Sequence, residues 1–166
     1  MFRVIGELFK HDKRFAFGFT VLIIFIVISC VSFFSPYNMR AWNTVPRDLR
    51  PSTKHLLGTN SIGQDIFWQA LVATKNSLLL GLIAAAISRV IAIVLGLLSG
   101  YKGGLFDRIV MVFNDSFIII PMFPILILIA SILRSSLSIP VLGVIIGLFG
   151  WAWDARLFRS QILSLR

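Results

Sequence analysis

Charged residues are scarce in this chain of 166 residues, and acidic ones especially so. Asp and Glu number 7 against 16 Lys and Arg, and charged residues make up only 14% of the chain. A soluble domain has about 25% charged and roughly 45–50% apolar residues, whereas 57% of this chain is hydrophobic and its mean hydropathy is +0.90. A water-soluble globule is therefore excluded. In so apolar a chain, the formal charge of +9 is better explained as a membrane-topology signal than as a nucleic-acid surface.

Cysteine and histidine are almost missing as well. Cys30 is the only cysteine, so no intrachain disulfide can form, and His11 and His55 belong to no spaced cluster that could hold a metal. The Gly-rich stretch 100–104 lacks the Gly-Lys-Ser/Thr pattern of a phosphate loop. We therefore expect no catalytic residue, metal or cofactor in this chain, and an intramembrane enzyme is an alternative without support from the sequence.

The chain is instead rich in long apolar runs. A helix needs roughly 20 residues to cross a hydrocarbon core of about 30 Å, and four runs approach or exceed that length: 15–34, 78–100, 109–133 and 137–153. Pro121 and Pro124 lie in the third run and predict a kink or a helix break there. The fourth run is short but can extend to Leu157. The sequence predicts an all-α, polytopic membrane helix bundle with four transmembrane helices.

The distribution of Lys and Arg predicts that both ends of the chain are cytoplasmic. With four spans, the side that holds both ends carries nine Lys and Arg, and the other side carries six. The predicted parts are a cytoplasmic amphipathic N-terminus over 1–14, transmembrane helix 1 over 15–34, an extracytoplasmic loop over 35–77 and the start of a core domain with helices 2 to 4 over 78–166.

The N-terminal part has competing interpretations. Within 1–14, apolar residues recur at helical spacing, as in a helix lying at the membrane interface, although a charged membrane flank explains them equally well. These residues are Phe2, Ile5, Leu8 and Phe9. The run 15–34 could also belong to a lipoprotein-type signal ending at Cys30, but a signal core is shorter and precedes an exported domain.

Two charges interrupt the apolar runs, Arg89 in the second and Asp115 in the third. A charge at bilayer depth is costly and normally faces a partner, a helix bundle or water. Counted from the turn between the two helices, Arg89 is about 16 Å deep and Asp115 about 12 Å. We therefore predict an ion pair between Arg89 and Asp115 with Asn114 beside it. The alternative is that Arg89 extends to the interface and Asp115 lies at the headgroup edge.

Small residues recur at four-residue spacing, at Gly96 and Gly100 and again at Gly143 and Gly147. Such pairs let helix backbones approach closely where lipid provides no hydrophobic drive. This pattern predicts that these helices pack within a bundle.

Four stretches between Lys54 and Arg166 carry further motifs. They are HLLGTNSIGQD over 55–65, NSL over 76–78, GLLSGYKGGLFD over 96–107, and W-x-x-x-A-R-x-x-R followed by QILSL over 151–165. With Asp115 and Pro121, this set resembles the inner-membrane permease subunits of ATP-binding-cassette importers of the dipeptide, oligopeptide and nickel type. The residues that carry the resemblance are His55, Gly58, Thr59, Gly63 and Asp65 before the second helix, Gly100, Gly103, Gly104 and Asp107 at the next turn, and Trp151, Arg156 and Arg159 near the end of the fourth helix.

The chain also departs from the family pattern. Asn60 and Gln64 stand where the family usually has Asp and Arg, Val112 where an Arg is common, and Arg89 where the family is apolar. We expect polar contacts near the outer loop and local charge pairing to differ accordingly.

The resemblance implies a MetI-like permease fold and a multi-pass protein of the cytoplasmic (inner) membrane. It implies six transmembrane helices, of which this chain would hold the first four. The implied partners are a homologous second permease subunit, two cytosolic ATPases that bind ATP and Mg, and an extracytoplasmic binding protein. That protein would deliver peptides, nickel or oligosaccharides. The loop 35–77 would contact the binding protein, cover the entrance, or only brace the second helix.

Two alternatives from other classes stay open at this point. A small non-transporting membrane scaffold or assembly protein would need no coupling loop, which the family has beyond the fourth helix. A proton-coupled carrier would use the titration of Asp115 and no ATPase.

Overall fold

The computed structural model describes residues 12–133 and 137–165, which fold into α-helices joined by turns and one long irregular segment. The helices are α1 (Lys13–Val31, continued by a 3-10 turn at Ser32–Phe34), α2 (Ile66–Lys102), α3 (Gly104–Ile119), α4 (Met122–Ile132), α5 (Ile139–Gly150) and α6 (Ala152–Leu165). The predicted all-α class is confirmed. The amphipathic pattern predicted within residues 1–11 lies outside the described residues.

The helices that are long and apolar enough to cross a membrane coincide with the apolar runs of the sequence. The segments Lys13–Phe34 and Ile66–Lys102 are each long and apolar enough to cross a membrane. The helix pairs α3–α4 and α5–α6 are bent by 77° and 45°, and each qualifies when it is taken as one span. By length and composition, the described residues therefore hold two to four membrane spans.

Helix α2 begins earlier than the apolar run that predicts it, at Ile66 instead of Leu78. The intervening turns contain Gln69, Lys75 and Asn76, which lower the hydropathy of the sequence without ending the helix. A helix of 37 residues is about 55 Å long and exceeds the hydrocarbon core. The irregular part between α1 and α2 accordingly ends at Asp65.

The predicted break in the third run is confirmed. Helix α3 ends at Ile119 and α4 begins at Met122. Pro121 has no N–H group to continue the ladder of α3, and its ring excludes the α conformation for Ile120, which is extended with a ψ of 123°. Pro124 lies in the first turn of α4, where a missing N–H leaves no carbonyl unpaired.

The described residues form two compact units, one up to Leu78 and a second from Leu79 onward. In the first unit, the side chain of Asp12 caps α1 by accepting hydrogen bonds from the backbone N–H groups of Arg14 and Phe15. Helix α1 is apolar all round and contains no buried residue. A helix of that kind suits a lipid environment.

In the second unit, α5 and α6 follow α2 along its length. A methyl group on Gly147 would lie 2.8 Å from Ile87 Cβ, and one on Gly96 would lie 2.6 Å from the carbonyl oxygen of Ala155. Gly143 and Gly100 make similarly close approaches to their neighbours. The predicted packing through small residues is confirmed. In these contacts a higher residue number on α2 always meets a higher residue number on α5 or α6. Helices α5 and α6 therefore run in the same direction as α2.

This parallel packing determines how the bent pair α3–α4 is to be interpreted. Helix α3 starts beside the C-terminal end of α2, where Asp107 contacts Ser99. Helix α5 packs beside the N-terminal half of α2, where Gly143 meets Ile83. The chain between them therefore returns along α2, and we interpret α3–α4 as one broken span.

The core of the second unit is small and built where α2, α3, α5 and α6 meet. Its buried apolar residues are Ala92, Trp151, Ala152 and Ala155. Three of the four are alanines, so backbones approach closely, and the indole of Trp151 fills the space at the α5–α6 bend.

The glycine contacts generate a stability prediction. Gly96→Ala should lower the free energy of unfolding by about 1–3 kcal/mol, because its methyl group would collide with a backbone oxygen of α6 that cannot move independently. Gly81→Ala, in the same helix, has no atom within 4 Å of its new methyl group and should be neutral or stabilising. Thermal unfolding in detergent micelles measures both. Equal effects would contradict the packing described here.

Candidate functional site

Most of the motif residues gather in two places, one in each unit. The first is the connecting segment, residues 35–65, which leads into α2. The second is the turn cluster, made of Ser99, Asp107 and Arg159 at the α2–α3 turn. Within residues 12–133 and 137–165, no group of three or more His, Cys, Asp or Glu could hold a metal ion.

The connecting segment is closed by the pair His55 and Asp65. The Nδ1 atom of His55 lies 2.8 Å from Oδ2 of Asp65, and both side chains are at most 5% exposed. The other carboxylate oxygen of Asp65 accepts hydrogen bonds from the N–H groups of Phe67 and Trp68 and so caps the start of α2. The first and last residues of the motif thus fasten the segment to the helix.

The glycines and threonine of the motif shape the segment. Gly58 and Gly63 have φ angles of +75° and +74°, which L side chains rarely adopt, and a methyl group on Gly58 would collide with the carbonyl oxygen of Leu49. The hydroxyl of Thr59 donates to the carbonyl of Pro46 at 2.7 Å and accepts from the N–H of Leu49 at 2.9 Å. All the predicted residues before the second helix therefore have structural contacts within this segment.

Two of the four departures from the family pattern, Asn60 and Gln64, are accommodated inside the connecting segment. The Oδ1 atom of Asn60 accepts hydrogen bonds from the N–H groups of Ile62 and Gln64, at 3.1 Å and 2.9 Å. The side-chain amide of Gln64 donates to the carbonyls of Met39 and Ala41, at 2.9 Å and 3.1 Å. Neutral side chains thus complete this hydrogen-bond network without an ion pair.

The surface of the segment is cationic. Arg40, Arg47, Arg50 and Lys54 are exposed and face only one exposed carboxylate, that of Asp48. Trp42 is 72% exposed. A rigid segment therefore displays an aromatic ring and several cations.

The turn cluster joins three helices. The Nε and Nη2 atoms of Arg159 on α6 donate to the two carboxylate oxygens of Asp107 on α3, each at 2.5 Å. The hydroxyl of Ser99 on α2, which is fully buried, donates to the same carboxylate. Gly103 and Gly104 have φ angles of +63° and +59° and make the tight turn that brings α3 back to α2.

The predicted ion pair between Arg89 and Asp115 is wrong. Arg89 pairs with Asp154, and Asp115 pairs with Arg156, so both charges have partners on α6. Counting residues from the turn gives the distance of Arg89 and Asp115 along their helices, but it does not give the direction in which each side chain projects. Asp154 directly precedes Ala155, whose carbonyl oxygen packs on Gly96, so it lies nearer to the C-terminal end of α2 than Arg89 does. The guanidinium of Arg89 therefore extends toward that end of α2, as expected of a side chain that reaches for the interface.

Asn114 is fully buried but does not lie in an Arg89–Asp115 pair. Its amide nitrogen donates to the carbonyl of Ala152 at 2.7 Å, while its Oδ1 has no hydrogen-bond partner in the described structure. Next to it, the indole of Trp151 contacts the ring of Phe117 at 5.3 Å between centroids and is 3% exposed. Asn114 and Trp151 therefore join α3 to the α5–α6 bend.

Two sets of contacts were not predicted from the sequence. Ser99 lies inside the motif over 96–107, three residues after Gly96 and seven after Ala92, and this spacing could have placed it on the same buried face of α2. Asp154 and Arg156 are two residues apart and therefore project about 200° apart on a helix, which could have indicated two different partners.

The fold is that of a polytopic helical membrane protein, and comparison with known proteins agrees with this class. Residues 92–166 match the family of the binding-protein-dependent transport system inner membrane component. The chain is 38% identical over 116 residues to the oligopeptide transport system permease protein OppC of Mycobacterium tuberculosis, which covers 70% of this chain and 40% of that protein.

Two further relatives align over nearly the whole chain. The OppC permease of Lactococcus lactis subsp. cremoris is 32% identical over 163 residues, covering 96% of this chain and 55% of that protein. The dipeptide transport system permease protein DppC of Bacillus subtilis is 28% identical over 157 residues, covering 95% and 48%. The part of the chain over residues 92–166 belongs to the family of binding-protein-dependent transport system inner membrane components. It spans about half the length of the curated relatives that it matches.

The closure of the connecting segment can be tested by proteolysis. Asp65→Ala removes the cap of α2 and leaves His55 buried without its partner, so tryptic cleavage at the exposed Arg47 and Lys54 should accelerate about tenfold, the equivalent of about 1.4 kcal/mol. Ser61→Ala, at an exposed position of the same segment, should leave the rate unchanged. Equal rates in all three proteins would show that the pair does not hold the segment.

The corrected ion pairs predict a specific pattern in double-mutant cycles. Asp115→Ala and Arg156→Ala should couple by about 0.2–1 kcal/mol, the range for partly exposed pairs. The cycle of Arg89→Ala and Asp115→Ala should show additive effects. Chemical unfolding in mixed micelles measures the coupling, and a larger value for the second cycle would reverse the assignment.

Proposed function

We propose that this chain is a translocation subunit of an ATP-binding-cassette importer that takes up peptides. The observation that carries the proposal is the similarity to relatives named oligopeptide and dipeptide transport permeases, which extends over 70–96% of the chain. The motif residues support it, because most of them make contacts with one another in the connecting segment or in the turn cluster. The relatives favour this function over the scaffold considered from the sequence.

The proposed partners follow from the same similarity. A second, homologous permease subunit would complete the translocation path, and an extracytoplasmic binding protein would deliver the substrate. Two cytosolic ATPase subunits would bind ATP and Mg, since this chain has no phosphate-binding loop of its own. Closure of the ATPases would shift the permeases between inward-open and outward-open states.

We propose that the protein is a multi-pass protein of the cytoplasmic membrane with its N-terminus in the cytoplasm. The excess of Lys and Arg on that side supports this orientation. The C-terminal end of α2 and the turn cluster would then lie toward the ATPases. The connecting segment would face outward, where its exposed Trp42 and its cations are available to a binding protein.

The broken span α3–α4 is our candidate for a wall of the path. A helix break at membrane depth leaves backbone groups without helical partners, and it is tolerated where those groups face protein or a water-filled cavity. Pro121 makes such a break between Ile119 and Met122. Peptides are the proposed cargo, with nickel and oligosaccharides as the other classes that the family resemblance allows.

Uptake by intact cells tests the proposal. Deletion of the gene should abolish energy-dependent uptake of a labelled tripeptide, and a plasmid with the full-length gene should restore it. Restoration should fail with Gly96→Leu, which cannot fit against α6, and succeed with Gly81→Leu, which projects into open space. Labelled nickel is measured in parallel.

Three results would contradict it in different ways. Loss of nickel uptake with intact peptide uptake would overturn the cargo. Uptake that persists without ATP but stops when the proton gradient is collapsed would favour a carrier. Unchanged uptake of every solute after deletion would favour a scaffold.

A further inference from the structure

The turn cluster is the most completely connected polar group of the second unit. Both oxygens of the Asp107 carboxylate are occupied by Arg159, and Ser99 adds a third hydrogen bond to it. Bidentate pairs of this kind fix geometry as well as adding energy. One carboxylate thus joins α2, α3 and α6 at a single point.

The other two ion pairs of α6, Arg89–Asp154 and Asp115–Arg156, are more exposed to solvent. The side chains of Asp115 and Arg156 are 52% and 42% exposed, whereas those of Asp107 and Arg159 are 15% and 30% exposed. Only the Asp107–Arg159 pair is bidentate among these. Exposed ion pairs contribute little, and the contribution of a pair rises when its charges are partly shielded from water and hydrogen-bonded at two points. The turn cluster is therefore the one whose loss should disturb the structure most.

The backbone next to the turn cluster contains several glycines, so side-chain contacts are needed to hold the α2–α3 turn in place. The turn between α2 and α3 is made by Gly103 and by Gly104, the first residue of α3; both lack side chains to stiffen the turn and adopt positive φ angles. Immediately before it, the backbone of Gly100 packs on α6, where a methyl group would lie 3.0 Å from the carbonyl oxygen of Arg159. The permissive turn is held by side-chain contacts on one side and by close backbone packing on the other.

We propose that Ser99, Asp107 and Arg159 make the C-terminal end of α2, the start of α3 and helix α6 move as one body, so that Asp107 and Arg159 are positioning residues for coupling ATP hydrolysis to transport. This inference rests on the proposed function. Packed interfaces transmit displacements because they do not deform continuously. A displacement of α6 would pass through the turn cluster to α2, which is long enough to carry it across the membrane.

The test uses the complete transporter, with the full-length chain, in sealed vesicles. ATP hydrolysis and uptake of a labelled peptide are measured in the same vesicles, and their ratio is the readout. Asp107→Asn should lower uptake per ATP about tenfold, because the ATPases still turn over while the displacement is no longer transmitted. Asp115→Asn is the matched control on the same helix, since it also breaks an ion pair to α6, and its ratio should stay within about twofold of wild type.

Charge reversal separates positioning from a general loss of stability. Asp107→Arg alone should uncouple the transporter, and adding Arg159→Asp should restore at least part of the ratio. Arg159→Lys retains the charge but loses the bidentate geometry, so it should give an intermediate ratio. Equal losses in the Asp107 and Asp115 variants, or no difference between the single and the reversed variants, would overturn the inference.

Spin-label distances provide a readout that does not depend on activity or on assembly of the Asp107 variant. Labels at Leu105 on α3 and Leu163 on α6, both exposed, should show the same distance without nucleotide and with ATP trapped. A change by about one helical turn, about 5 Å, would mean that the two helices move separately and would overturn the inference.

Failure of the two proposals can be told apart. Absence of ATP-dependent peptide uptake by the wild-type transporter would overturn the proposed function. Normal wild-type uptake with an unchanged ratio in Asp107→Asn would overturn only the role of the turn cluster.

Discussion

Close backbone contact along α2 is the constraint on which the second unit depends. Lipid is as apolar as a leucine side chain, so membrane helices gain little from hydrophobic burial and associate through tight packing and polar contacts. Gly96 and Gly100 allow α6 to approach α2, while Gly143 and Gly147 do the same for α5. The bend of 45° between α5 and α6 does not interrupt this contact, because Trp151 fills the space that the bend opens.

Helix α6 gains its importance from that packing. Once its backbone lies on α2, its three charged residues reach partners on two neighbouring helices. These pairs are Asp154 with Arg89, Arg156 with Asp115, and Arg159 with Asp107. Polar groups at membrane depth are costly unless paired, so each pair also excludes other rotations of α6. The connecting segment of the first unit is likewise held in place by a pair of polar side chains, the buried His55 and Asp65.

The sequence predicts features that depend on position along the chain. Apolar runs give the spans, Pro121 gives the break, and spaced glycines give the packing faces, because each signal is local and periodic. The partner of a charged residue depends on how each helix is rotated about its axis and on which other helices pack beside it. The sequence therefore predicts a pair of Arg89 with Asp115, whereas Arg89 pairs with Asp154 on α6. The motifs named His55, Asp65, Asp107 and Arg159 but not their contacts, and the hydrogen bonds of the connecting segment depend on backbone angles that no periodicity encodes.

A density map of the assembled complex, isolated from its own membrane through the full-length chain, is the most direct test of this packing and of the proposed partners. We predict that α5 and α6 lie parallel to α2 on its glycine face, with Arg159 on Asp107, beside a second helical membrane subunit and above cytosolic ATPases. A map in which α6 lies away from Gly96 and Gly100, or in which no ATPase accompanies the chain, would contradict it.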